Sequence, residues 1–145
     1  MYFLFPPESL VAPQRLMPAT VIVATERVPA DDFKPDPLAA SPRSLAGHYL
    51  MEGGDGRIEA VVFVGASEEL LDWRIRVEVE ERVAGRKAVR RSFKEQALRQ
   101  VEGFWVFETR WSQGVFASYQ DGLARGQPAE PGLILDGVFL FLTPS

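Results

Sequence analysis

Residues 73–83, WRIRVEVEERV, decide how the rest of the chain is read. Trp73, Ile75, Val77, Val79 and Val83 fall on one parity, and Arg74, Arg76, Glu78, Glu80 and Arg82 on the other. Successive strand side chains point to opposite faces, so this is a strand with one face buried and one face wet. The wet face carries both signs of charge, as a solvated surface does.

Working outward from it, Ala84-Gly85-Arg86 turns the chain. In residues 88–102, Val89, Phe93, Ala97 and Val101 recur every four positions among good helix formers. A strand there would put Arg91 inward, and burying an unpaired guanidinium is costly, so the spacing predicts a helix. Upstream, Ile58, Ala60, Val62 and Val64 alternate through a second strand, entered by the Gly53-Gly54-Asp55-Gly56 turn from a short strand over His48–Glu52. Ser67 and the acids after it fit one capped helical turn. Downstream, residues 104–112 (FWVFETRWS) and 115–120 (VFASYQ) form a hairpin through Ser112-Gln113-Gly114. The unbroken apolar run GVFLFLT, residues 137–143, reads as a central strand covered on both faces. The expected fold is mainly β: an antiparallel sandwich or small barrel of about seven or eight strands, allowing one helix, with an extended N-terminal arm.

The arm is set apart by composition. Eight of the 11 prolines precede residue 46, and all 12 glycines follow it. Proline fixes φ and keeps the preceding residue out of the helical region, so residues 1–45 read as stiff and extended, and 46–145 as the globular domain. Tyr2, Phe3, Phe5, Leu10, Val11, Leu16 and Met17 are apolar, which a spacer does not need; residues 20–24 (TVIVA) read as a strand. These side chains want a surface, either their own body or another chain. Because most periodic strands follow Gly47, the body is expected to fold without the arm, starting near Ser44.

With 145 residues, 46% hydrophobic and 25% charged, the chain suits one domain with a core. A net charge of −4 gives no footing for wrapping duplex DNA. The absence of Cys excludes disulfides, zinc–thiolate sites and a cysteine nucleophile. Asn is also absent, while Arg outnumbers Lys 13 to 3; heat selection and GC-rich coding both produce this bias. Pro6-Pro7 cut the apolar N-terminus, which does not read as a signal peptide, and no apolar run is long enough for a membrane span. A soluble protein without a membrane partner is expected.

No catalytic motif stands out. His48 is the single histidine, and Ser44, Ser67, Ser92, Ser112 and Ser118 sit in no nucleophile elbow. Asp31, Asp32 and Asp36 are interrupted by prolines and lack calcium-loop spacing. Carboxylate pairs drawn from Glu52, Asp55, Glu59, Glu108 and Asp121 are no more than 20 acids offer by chance. No metal, cofactor or catalytic residue is expected. Arg82, Arg86, Lys87, Arg90, Arg91 and Lys94 form the one basic run, flanked by glutamates that make a self-neutralised face the simpler reading. Trp105, Phe107, Trp111, Phe116 and Tyr119 form an aromatic stripe; exposed, it would stack sugars or single-stranded bases, and buried, it is core.

The extended MYFLFPPESLVAPQRLMP segment, the missing Cys and Asn, and the β-rich body from Gly47 to Thr143 together resemble the capsid decoration proteins of tailed bacteriophages, those of thermophilic phages especially. The resemblance is one of architecture over the whole chain and rests on no diagnostic motif. It implies a non-enzymatic virion protein on the outer capsid surface, made in the host cytoplasm. It further implies a homotrimer that contacts the major capsid protein and neighbouring copies, with no nucleic-acid partner. The alternative is a β-rich module binding carbohydrate or single-stranded nucleic acid through the aromatic stripe; an enzyme of unfamiliar type ranks third.

Overall fold

The computed structural model describes residues 17–36, 41–67, 72–120 and 129–144. The strands are β1 (Thr20–Val23), β2 (Glu26–Pro29), β3 (Phe33–Lys34), β4 (Gly47–Gly53), β5 (Gly56–Ser67), β6 (Asp72–Val83), β7 (Val89–Val101), β8 (Phe104–Glu108), β9 (Gln113–Tyr119), β10 (Glu130–Leu135) and β11 (Val138–Leu142). Each strand from β4 to β11 pairs antiparallel with the next, and β11 returns to β4 through Phe141↔Leu50 and Leu142↔Tyr49. The result is a closed, eight-stranded up-and-down barrel, the second of the two expected β architectures. Three short strands are added outside it: β1 runs parallel to β11, β2 pairs with β1, and β3 pairs with β9.

The parity read in residues 73–83 governs the interior. Ile75, Val77 and Val79 point inward with Ala60 and Val62 of β5, and meet Tyr49, Leu98, Phe107, Phe116, Leu133 and Leu140 from the other strands. Phe107 contacts both Phe93 and Phe116, at ring-centroid distances of 6.3 and 6.2 Å. The lumen is filled at this level: a Cβ on Gly114 would lie 2.1 Å from the Phe107 ring. Such a barrel is a packed core, as eight strands permit.

A second core lies outside the barrel wall. Val106, Val115, Ala117, Ile134 and Phe139 point outward from β8–β11 and are covered by Val21 and Phe33. Phe33, Tyr119 and Phe139 form a ring cluster with centroids 5.0–5.7 Å apart. This explains why β11 is apolar on both faces: Phe139 serves the outer core and Leu140 the inner one, both fully buried. Of the stretch read as an extended arm, residues 20–34 therefore lie on the barrel as three paired strands, and Met17 packs against the same outer core.

Residues 88–102 are not a helix but lie almost wholly in the strand β7. The register changes from Val77↔Phe93 to Ile75↔Gln96, so β7 carries one extra residue, and Glu95 takes a left-handed φ of 54°. This is a β-bulge. It moves the inward set from Phe93 to Leu98, while Val101 lands on the outer core. The four-residue spacing of Val89, Phe93, Ala97 and Val101 thus samples both faces of one bulged strand. Arg91, the reason for preferring a helix, is paired: its Nη1 donates to Ser112 Oγ at 3.2 Å and to Asp136 Oδ2 at 3.4 Å. The helical turn expected after Ser67 falls on residues outside the described ones.

Tyr49 is 2% exposed, and its hydroxyl donates to the Leu45 carbonyl at 2.5 Å. Burial, with the negative charge of Asp36 adding to it, pushes the phenol well above its ordinary pKa. The folded state thus holds Tyr49 neutral while the unfolded chain ionises near pH 10. Stability from this group is complete below that pH and is lost as pH rises above it. Tyr49→Phe should lose about 1 kcal/mol at neutral pH through the missing hydrogen bond. It should also flatten the decline in melting temperature above about pH 10, as measured by thermal melts across pH 7–12. An unchanged alkaline slope would rule the assignment out.

Candidate functional site

Six of the seven apolar residues expected to contact a partner, Tyr2, Phe3, Phe5, Leu10, Val11 and Leu16, lie outside the described residues. Met17, the seventh, is half-buried against the outer core. His48 is exposed on β4, where its carbonyl accepts from the Thr143 N–H at 2.8 Å. Among the described residues no three His, Cys, Asp or Glu side chains come together as a metal site.

The aromatic stripe separates. Phe107 and Phe116 are buried in the lumen, Trp105 packs against the same core, and Tyr119 joins the outer ring cluster. Trp111 alone stands out, 81% exposed in the turn after β8, with the Arg110 guanidinium 5.0 Å from its ring. No continuous platform for stacking bases or sugars is formed by these five residues.

The outer face of β5, β6 and β7 is a ladder of side chains fixed by register. Glu59 lies opposite Glu80, and Glu80 opposite Arg90. Glu80 accepts from Arg82 Nε at 2.7 Å and Arg90 Nε at 2.8 Å. The Arg82 and Arg90 hydrogen bonds hold the Glu80 carboxyl below its ordinary pKa, so the small stabilisation from this exposed cluster is present at neutral pH and fades in acid. Arg57 pairs with Glu59 at 3.4 Å. Much of the basic run is thereby neutralised. Arg86, Lys87 and Lys94 have no ion pair among the described residues.

At the barrel end formed by the β4–β5, β6–β7, β8–β9 and β10–β11 turns, Arg91 ties three elements together. Asp136, at φ 49° in the β10–β11 turn, accepts from Arg91 through Oδ2 and from the Gln113 N–H through Oδ1, the latter at 2.9 Å. Arg91 also reaches Ser112 beside Trp111. This bridge is needed because β7 and β8 pair only over Arg99–Val101. Among the described residues, no strand pairs with the outer edge of β7 from Val89 to Leu98. Sequence reasoning missed this edge. A strand long enough to outrun its partner was visible only if 88–102 had been read as β.

No family model matches the chain, and neither a curated protein nor a solved structure matches it.

Proposed function

We propose that the protein is a non-enzymatic structural protein that attaches to an assembled protein surface, in the manner of a capsid decoration protein of a tailed phage. The observation that carries this reading is the filled lumen. An eight-stranded barrel either packs its interior or holds one small ligand, and here Phe107 and Phe116 occupy that space. Function is then left to the outer surface and to the N-terminal stretch. The way β1–β3 are docked supports a role for that stretch: they secure the chain just after residues 1–16, whose Tyr2, Phe3 and Phe5 are suited to a pocket on a neighbour. The proposed partners are the major capsid protein and neighbouring copies in a trimer, on the outer face of a virion.

The test is removal of residues 1–10. Burying one aromatic side chain is worth roughly 1.5–3 kcal/mol, so binding to the assembled partner should weaken by about a hundredfold or more. The melting temperature should stay within a few degrees. Co-sedimentation with capsids, beside a melt of the same protein, reads both. Unchanged binding removes the proposal, as does a melt that falls by many degrees, which would place these residues in the protein's own fold.

A further inference from the structure

We infer that the unpaired edge of β7, from Val89 to Phe93, is a docking site for an extended acidic segment of another polypeptide, which adds to the sheet as a strand. The inference does not depend on the reading above.

Residues 89–93 pair with β6 on one side only, through Val77↔Phe93 to Glu81↔Val89. In an antiparallel strand, alternate residues aim N–H and C=O groups away from the paired neighbour. Here no described strand takes them. Open edges are ordinarily blunted by shortness, bulges or charge. The far edge of the sheet, β2, is only four residues long and ends in Pro29. The β7 edge is a five-residue regular run before its bulge, long enough for the backbone ladder of strand addition.

Two further observations mark this edge. Of the three exposed large apolar residues among those described, Val89 (56%) begins it, and Trp111 (81%) belongs to the turn that Arg91 reaches from it. Exposed apolar residues beside an unfilled ladder supply anchor points for alternate side chains. The charge is one-sided: Arg86, Lys87, Arg90, Arg91 and Lys94 lie along residues 86–94 with no acid among them. Glu80 and Asp136 neutralise part of this, but Arg86, Lys87 and Lys94 remain without an ion pair among the described residues.

The charge selects the occupant. A second β7 added antiparallel would set Arg and Lys opposite Arg and Lys, which is destabilising for cross-strand neighbours. Residues 1–16 of the chain itself carry one acid, Glu8, one base, Arg15, and three prolines that cannot donate to a ladder. Nucleic acid would use the bases but leave the backbone edge unfilled. An extended segment alternating acids with β-branched residues satisfies both the edge and the charge.

The experiment uses the full chain and a labelled nonapeptide of alternating glutamate and valine, titrated by fluorescence anisotropy. Amide hydrogen exchange is read with and without the peptide. Binding is expected, with new protection confined to alternate amides of residues 89–93. The double variant Lys87→Glu/Lys94→Glu should weaken it about tenfold, and Trp111→Ala should weaken it separately. A peptide N-methylated at alternate backbone amides should not bind, which distinguishes strand addition from mere attraction to a polyanion. Any of four results overturns the inference: no binding, or protection elsewhere; equal binding of a ten-nucleotide oligothymidylate; amides 89–93 already protected in a protein that sediments as a dimer; or the same amides exposed only when residues 1–16 are removed.

Discussion

A chain starting at Ser44 should fail to unfold cooperatively, or should melt tens of degrees below the full protein. Such a cut keeps every strand of the closed barrel, β4 to β11, yet removes the cover of its outer core. Val21 and Phe33, 0% and 2% exposed, would be gone, and Val106, Val115, Ile134 and Phe139 would face water. Burial of each large apolar side chain contributes roughly 1.5–3 kcal/mol, and a whole domain is stable by only about 5–15 kcal/mol. Loss of this layer therefore rivals the total. The expectation from sequence that the body stands alone changes accordingly, since the outer core needs residues from both sides of Ser44. A chain cut before Met17 is the control and should retain its cooperative melt. If the Ser44 cut melts within about 5 °C of the full chain, the outer core contributes little and the argument is wrong.

The second large effect is expected from Gly114→Ala and Gly132→Ala. At Gly114 the new methyl would lie 2.1 Å from Phe107, whose ring is 0% exposed and hemmed in by Phe93 and Phe116. At Gly132 it would lie 2.3 Å from the Leu140 carbonyl oxygen, part of the wall that pairs β10 with β11. Overpacking a core costs about 1–3 kcal/mol and more where backbone must move, so Gly132→Ala should be the worse of the two. Gly65→Ala, where a Cβ meets nothing within 4 Å, is the matched control and should be close to neutral. Combining Gly114→Ala with Phe107→Leu should recover part of the loss, because neighbours in one contact do not add. Denaturant midpoints of the four proteins settle it: equal destabilisation at Gly65 would remove the steric explanation.

Those two glycines show where the sequence was legible and where it was not. A glycine is first read as a turn, and Gly53 to Gly56 do form one, with Gly54 at φ 59°. Gly114 and Gly132 sit inside strands, where their value is the missing Cβ, and that depends on which side chain arrives from another strand. The period-two pattern of Trp73–Val83 and the doubly apolar run into Leu142 needed only local sterics and burial, so both read correctly. The same signal sits in FWVF and VFAS, apolar on both parities, but these stretches read as a hairpin with an aromatic stripe, and nothing local says what covers their second face. The β7 bulge was hidden because one inserted residue converts an alternating pattern into one that passes for helical. Arg91 misled because its partners, Ser112 and Asp136, are 21 and 45 residues away. Trp111 was grouped with Phe107 by parity, although the strand that would have kept them together ends at Glu108. The edge of β7 that no described strand pairs had no local signal at all, being a property of where β8 stops.

The closure of the barrel by its last strand fixes an order of events during synthesis. β11 pairs with β10, β4 and β1, so β1 waits for a parallel partner that is made after every other strand of the barrel. β3 likewise waits for β9. Hairpins from β4 to β8 can form as the chain emerges, but neither core can be sealed until the ribosome has passed Val138. A message truncated just before that point would yield an open sheet with two apolar faces rather than a smaller version of the same protein. The cell would meet it as a substrate for chaperones and proteases. Folding of the full chain should correspondingly be slow for its size, since the contacts that close the barrel, such as Phe141↔Leu50, and the one that docks β1, Ile22↔Val138, join residues far apart in the sequence.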